Sequence, residues 1–214
     1  DDSDRIILQD TTASSTTSEF IKTFSQSQVD SQFGLSNTAT PAAKCGVTIE
    51  KVSYATKGAA GEKTTATAAL MLPTGNASDC KGDRPVLLYA HGTTTDKSYD
   101  FTQVANVNNA AVGESTLIAA NYAAQGYIVV APNYAGYDTS TLDYHPYLVA
   151  QQQSTDMVDA LDSARSVIDK QQRANNQNYK TIDDSGKLLI DGYSQGDYVA
   201  MATARLLESQ HTPI

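Results

Sequence analysis

One stretch, Lys187 to Glu208 (KLLIDGYSQGDYVAMATARLLE), constrains this chain more than any other. Leu188, Leu189 and Ile190 form a short apolar run, which predicts a strand buried on both faces. Gly192-Tyr193-Ser194-Gln195-Gly196 follows and matches G-x-S-x-G. The residues after it, through Leu207, are rich in Ala, Met and Leu and contain no helix breaker, so they predict a helix. Strand, tight turn and helix are the context in which G-x-S-x-G presents its serine as a nucleophile. The flanking glycines let strand and helix approach each other. The hydroxyl of Ser194 is then expected at the C-terminal edge of a sheet, above a helix N-terminus that favours developing negative charge.

The rest of the chain fits an α/β architecture built around that turn. Val47 to Ala55 and Thr64 to Leu72 alternate in hydropathy, and Lys57 to Gly61 between them is a turn sequence, so an antiparallel hairpin is predicted. Pro85 to Ala90 (PVLLYA) and Tyr127 to Ala131 (YIVVA) read as buried strands. Helices are predicted over Glu19 to Val29, Glu114 to Gln125 (stopped by Gly126) and Ser154 to Arg173. In the last of these, Met157, Leu161, Ala164 and Ile168 share a face, and Asp169 and Arg173 form an i,i+4 pair. Asn175 to Gly186 reads as a polar connector, and Ser98 to Val112 as a long loop. A hairpin followed by alternating strands and helices predicts a mostly parallel sheet flanked by helices. The loops at His91, Asn133 and Ser194 then all leave C-terminal strand ends, where open α/β sheets place their sites.

Length and charge bound the function classes. The 214 residues suffice for one large α/β domain, and the net charge of −9 argues against nucleic acid or an anionic membrane as a partner. Residues 1–18 are expected to form a polar arm, with residues 19–214 as the domain portion. The chain begins with Asp rather than Met, so an N-terminal segment is expected to have been removed. Cys45 and Cys80 flank candidate strands and are expected to pair as a disulfide. Together these point to a secreted protein, extracellular or periplasmic. Asn76-Ala77-Ser78 is a glycosylation sequon. No metal cluster, phosphate loop or dinucleotide fingerprint is present in the sequence, and no cofactor is expected.

Three segments carry a resemblance to a known family: RPVLLYAHGTTT (Arg84 to Thr95), AAQGYIVVAPNYAGYD (Ala123 to Asp138) and GYSQG (Gly192 to Gly196). With them the chain resembles the α/β-hydrolase superfamily, and within it the secretory lipase family (Candida antarctica lipase A-like and related bacterial secreted lipases and esterases). The match corresponds to the N-terminal half of such an enzyme. The resemblance implies hydrolysis of carboxylic esters, including lipids, through an acyl-enzyme on Ser194. It implies that the backbone N–H of Gln195 donates into the oxyanion hole. A second donor is implied from either of two loops, through Asn133 or through the Thr93 region.

Two departures from the family pattern matter. Asp197 stands where a small residue is usual. If its charge opposes oxyanion formation, Asp197→Gly raises turnover. The second departure is larger: the superfamily orders its triad Ser, acid, His, and little beyond the elbow helix follows Gly196. His91 is expected to brace its loop, His145 to cap or lie at the surface, and His211 to lie at the far end of the sheet. Asp138, Asp143 and Asp191 read as ordinary solvated carboxylates. The acid and the histidine are therefore expected from a C-terminal portion, with the elbow strand left at a sheet edge and a second polypeptide from the same precursor as partner. The alternatives are a non-catalytic hydrolase-fold binding protein or inactive fragment, and, on the same chemistry, a secreted peptidase or amidase.

Overall fold

The computed structural model describes residues 16–33, 40–92, 94–144, 150–193 and 195–210. Among these residues six strands form one mixed sheet in the order β1-β2-β3-β5-β4-β6. They are β1 (Thr17–Phe24), β2 (Gly46–Lys57), β3 (Lys63–Thr74), β4 (Gly82–Ala90), β5 (Ile128–Pro132) and β6 (Ile182–Gly192). The helices are α1 (Gln26–Phe33), α2 (Val112–Asn121), α3 (Ala150–Arg173) and α4 (Gln195–Ser209). β1, β2 and β3 pair antiparallel, β3 joins β5 antiparallel, and β5, β4 and β6 run parallel. The α/β class and the hairpin stand as the sequence predicts. The sheet is mixed rather than mostly parallel: among the described residues three of its five ladders are antiparallel, because β3 joins β5 antiparallel and β1 extends the hairpin.

That extra strand corrects a predicted helix. Thr17 to Phe24 carries β-branched and aromatic residues, and the free edge of β2 offers a ladder for its backbone, pairing Thr17 with Ser53 through to Phe24 with Val47. The helix begins later, at a capping box. The Gln28 N–H donates to Ser25 Oγ (3.2 Å) while the Ser25 N–H donates to Gln28 Oε1 (2.8 Å). α1 then buries Val29 and Phe33, and the Phe33 ring meets that of Phe24 edge-on.

The core strands are buried on both faces: every residue of β5 is buried, as are the last five of β4. α3 and α4 pack against each other and reach β2, β5, β4 and β6, while α2 and α1 contact each other. α2 ends in a short 3-10 turn at Ala123–Gln125, capped by Gly126 in the left-handed region (φ 103°). The Asp169–Arg173 pair forms at 2.9 Å on the exposed surface. Cys45 and Cys80 form a disulfide.

β6 differs from its predicted form in two ways. It starts at Ile182, inside the segment read as a connector, because Gly82 to Arg84 of β4 offers a parallel partner to residues 182–184. It is also the edge of the sheet among the described residues. Leu188 is buried, but Leu189 is 43% exposed and Ile190 only half-buried. An apolar run at the edge of a sheet shows the water one of the faces that an interior strand would hide. Met201 on α4, 59% exposed, continues this apolar surface, and a hollow between β6 and α4 is lined by Ile190, Asp191, Gly192, Ala200, Met201 and Ala204.

Candidate active site

The parallel register sets the site. Ala90 of β4 stands opposite Gly192 of β6, and Leu88 of β4 opposite Val130 of β5. The loops after β4, β5 and β6 therefore emerge side by side. The turn after β6 closes when the Gly196 N–H donates to the Tyr193 carbonyl (2.8 Å), and the Tyr193 N–H donates back to the Ala90 carbonyl (3.3 Å). α4 starts directly against the end of β4. A Cβ on Gly196 would lie 1.8 Å from the Ala90 carbonyl oxygen and 2.9 Å from that of His91. No side chain fits there, which is the reason the motif needs its second glycine. Ser194, within this turn, and Thr93, in the neighbouring loop, lie outside the described residues, as do His145 and His211 and most of the polar arm. Gln195 is the first residue of α4.

His91 braces the loop after β4. It is fully buried, stacked between Tyr99 and Tyr134 with ring centroids 4.2 Å from each. Its Nδ1 faces the Gly92 carbonyl (2.7 Å) and its Nε2 the Asn133 carbonyl (3.0 Å). Burial pushes its pKa down to about 4, against the pull of the two carbonyls, so the ring is neutral and donates from one nitrogen. Nothing leaves this ring free to take a proton from a serine.

Asn133, a candidate oxyanion donor, is fully buried at the end of β5. Its Oδ1 accepts from the Phe101 N–H (2.7 Å), which fixes the orientation of the amide. Its Nδ2 donates to Thr67 Oγ1 (2.9 Å) and to Asp100 Oδ1 (3.3 Å). Both amide hydrogens are thus engaged in the core.

Beneath Asn133 lies an ionic cluster that sequence reasoning missed. Lys51 on β2 donates to Asp100 (2.7 Å) and Asp138 (2.9 Å), and Thr67 on β3 donates to Asp138 (2.7 Å). Burial works to lower the Lys51 pKa, but the two carboxylates outweigh it and raise it. Asp138 is therefore an ion-pair partner and not a solvated carboxylate. Asp191 is exposed and accepts from its neighbour, the Gly192 N–H (2.8 Å). A second buried carboxylate, Asp156 on α3, accepts from the Tyr54 hydroxyl and from the Ala135 N–H (2.6 Å). No sequence pattern announced either cluster, since their members come from separate elements.

Sheet order, strand-end loops and the elbow turn together define the α/β-hydrolase fold, and the resemblance read from the three motifs holds. The structure resembles that of the rice cell wall degrading esterase LipA from Xanthomonas oryzae, at 31% identity and a TM-score of 0.73, over 90% of this chain and 45% of that one. A hydrolase from Legionella pneumophila, described as putative, matches at 21% identity and a TM-score of 0.70, over 91% of this chain and 48% of that one. Candida antarctica lipase A in its closed state matches at 15% identity and a TM-score of 0.50, over 90% and 38%. The last two show the fold alone. This chain spans less than half the length of these structures. No protein-family model and no curated protein matches the sequence. Among the described residues no helix is long and apolar enough to cross a membrane.

Proposed function

We propose that this chain carries the nucleophile of a secreted serine hydrolase of carboxylic esters, an esterase or lipase. The observation that carries the reading is the turn after β6, with Gly196 seated against the Ala90 carbonyl and α4 starting at once behind it. In this reading the Ser194 oxygen attacks the ester carbonyl carbon, and a histidine takes the serine proton and passes it to the leaving alcohol. Water then hydrolyses the acyl-enzyme. The oxyanion is held by the Gln195 backbone N–H at the start of α4 and by a second donor. The loop after β4, with Thr93, is the better supported source, because Asn133 has no unused amide hydrogen.

The histidine and the acid come from a portion that follows this chain. Two observations support this. His91 is locked and neutral, and among the described residues β6 has an open edge with Leu189 and Met201 exposed beside it. A further strand beside β6, in the same precursor or a processed second polypeptide, covers both. The Cys45–Cys80 disulfide supports an oxidising, extracytoplasmic location.

The test is fluorophosphonate labelling of the protein and of Ser194→Ala, with hydrolysis of p-nitrophenyl esters and matched anilides measured beside it. Labelling that maps to Ser194, with esters cleaved in preference to anilides, is expected. Preference for anilides would make it an amidase or peptidase. No labelling in the presence of the C-terminal portion would leave a non-catalytic binding protein on a hydrolase fold.

A further inference from the structure

Gly92 is gripped between a carboxylate and the elbow. Its N–H donates to both oxygens of Glu114, at 2.9 and 3.2 Å. The place a Cβ would take lies 3.2 Å from the Tyr193 carbonyl oxygen, 3.2 Å from the Tyr193 ring and 3.7 Å from Glu114 Oε1. Glu114 sits in the first turn of α2, where the helix favours negative charge. It also accepts from the Tyr89 hydroxyl (2.7 Å) and the Tyr99 hydroxyl (3.2 Å). β4 ends at Ala90, so no sheet ladder holds Gly92. Past Thr93, the Tyr137 hydroxyl donates to the Thr94 carbonyl.

Two things follow from this geometry. The Gly92 N–H is spent, so any donor this loop offers an oxyanion must come after it. The Tyr193 N–H bond to the Ala90 carbonyl ties the elbow to the end of β4, and Glu114 fixes the next stretch, at Gly92, although the reaction described above does not otherwise use it. Three donor groups converge on its carboxylate and disperse its charge away from the site.

We propose that Glu114 is a positioning residue for the oxyanion-stabilising loop, acting through Gly92 on the gap between that loop and the elbow. The inference rests on the ester-hydrolase reading and names the group that fixes its second oxyanion donor. Glu114 touches no reacting atom. Its effect is geometric: a donor displaced by about 1 Å costs on the order of 100-fold in rate. Loss of an oxyanion donor outright costs about 100- to 1000-fold.

The experiment compares Glu114→Ala, Glu114→Gln and Glu114→Asp in the intact protein. It measures kcat and KM on p-nitrophenyl butyrate, the fluorophosphonate labelling rate and the thermal midpoint. Glu114→Ala is expected to lower kcat and the labelling rate together by about 10- to 100-fold, with KM held within about threefold. Glu114→Gln, whose amide oxygen still accepts from the Gly92 N–H, restores most of the rate. Glu114→Asp keeps the charge but shortens the reach by one methylene, and loses about 10-fold in kcat even if the alanine variant fails to fold. Wild-type kcat in the Asp variant overturns the inference. So does a loss of activity in all three variants that merely tracks the loss of folded protein. A parent that hydrolyses no ester overturns the functional reading and this inference together, whereas an active parent with indifferent variants overturns this inference alone.

Discussion

Acid pulls on two buried groups of this protein in opposite directions. Burial pushes the Asp156 carboxyl up to about 6 from 3.8, with hydrogen bonds from Tyr54 and the Ala135 N–H opposing the shift and Asp159 nearby adding to it. The folded state thus holds this proton more tightly than the unfolded chain. Between about pH 4 and pH 6 the folded state binds more protons, and stability falls as pH rises, by roughly 3 kcal/mol for a shift of about two units. His91 does the reverse. The unfolded chain protonates it near 6.5, while burial delays protonation of the folded state to about 4. Stability therefore falls by roughly 3 kcal/mol as pH drops through the same window. In the parent protein the two slopes offset each other. Replacing Asp156 with Asn removes one slope and exposes the other. Relative to the parent, Asp156→Asn should gain roughly 3 kcal/mol between pH 4 and pH 7, whatever its constant offset. His91→Gln should show the mirror image, gaining on the parent as pH drops from 7 to 4. Urea unfolding followed by circular dichroism at pH 4, 5, 6 and 7 supplies both difference curves, and subtracting the parent removes the contributions of Glu50 and Asp162, which share no interaction with either group. Two flat difference curves, or two of the same sign, would refute the assignment of these groups as buried and oppositely shifted.

Gly196→Ala should abolish fluorophosphonate labelling and cost about 2 kcal/mol or more in stability, because its Cβ would lie 1.8 Å from the Ala90 carbonyl oxygen and backbone must move; an active, stable variant would disprove the close approach of α4 to β4. Lys51→Met should cost about 3–5 kcal/mol in urea unfolding at neutral pH, since it strands Asp100 and Asp138 without their cation. Adding Asp138→Asn should recover part of that loss. Reducing the Cys45–Cys80 disulfide should lower stability by about 3–4 kcal/mol, and an unchanged melting temperature in dithiothreitol would contradict this.

The elements that could be read from sequence are those whose signal is local. β4 and β5 are continuous apolar runs, the β2–β3 hairpin alternates around a glycine turn, and G-x-S-x-G lies between strand and helix, so each was placed within a few residues. The errors are all non-local. Thr17 to Phe24 is a strand because the edge of β2 offers it a ladder, and residues 182–184 join β6 because Gly82 to Arg84 of β4 lie opposite. Leu189 is exposed because nothing among the described residues flanks β6. The polar anchors were invisible for the same reason. Gly92 and Glu114 are 22 residues apart, and Lys51 and Asp138 are 87 apart. No periodicity links such pairs, and each acid alone looks like a solvated surface residue.

These anchors also show what the antiparallel strands do for a site they do not form. The loops of the site leave β4, β5 and β6, yet several of the side chains that hold the β5 loop, directly or through one partner, come from β2 and β3. Lys51 and Thr67 fix Asp138, Thr67 meets the Asn133 amide, and Tyr54 holds the Asp156 carboxylate that receives the Ala135 N–H. Thr56 adds a bond to Asp159 on α3 (2.9 Å). The loop after β4 is held differently, by His91 against the Asn133 carbonyl and by Glu114 from α2. His91 therefore links the two loops, and a disturbance of the hairpin reaches the β4 loop through Thr67, Asn133 and His91 in turn. Because the Thr67–Asn133 link is a buried hydrogen bond whose loss leaves a polar group without a partner, and the His91 ring is enclosed between Tyr99 and Tyr134, the arrangement resists partial slippage of the two loops.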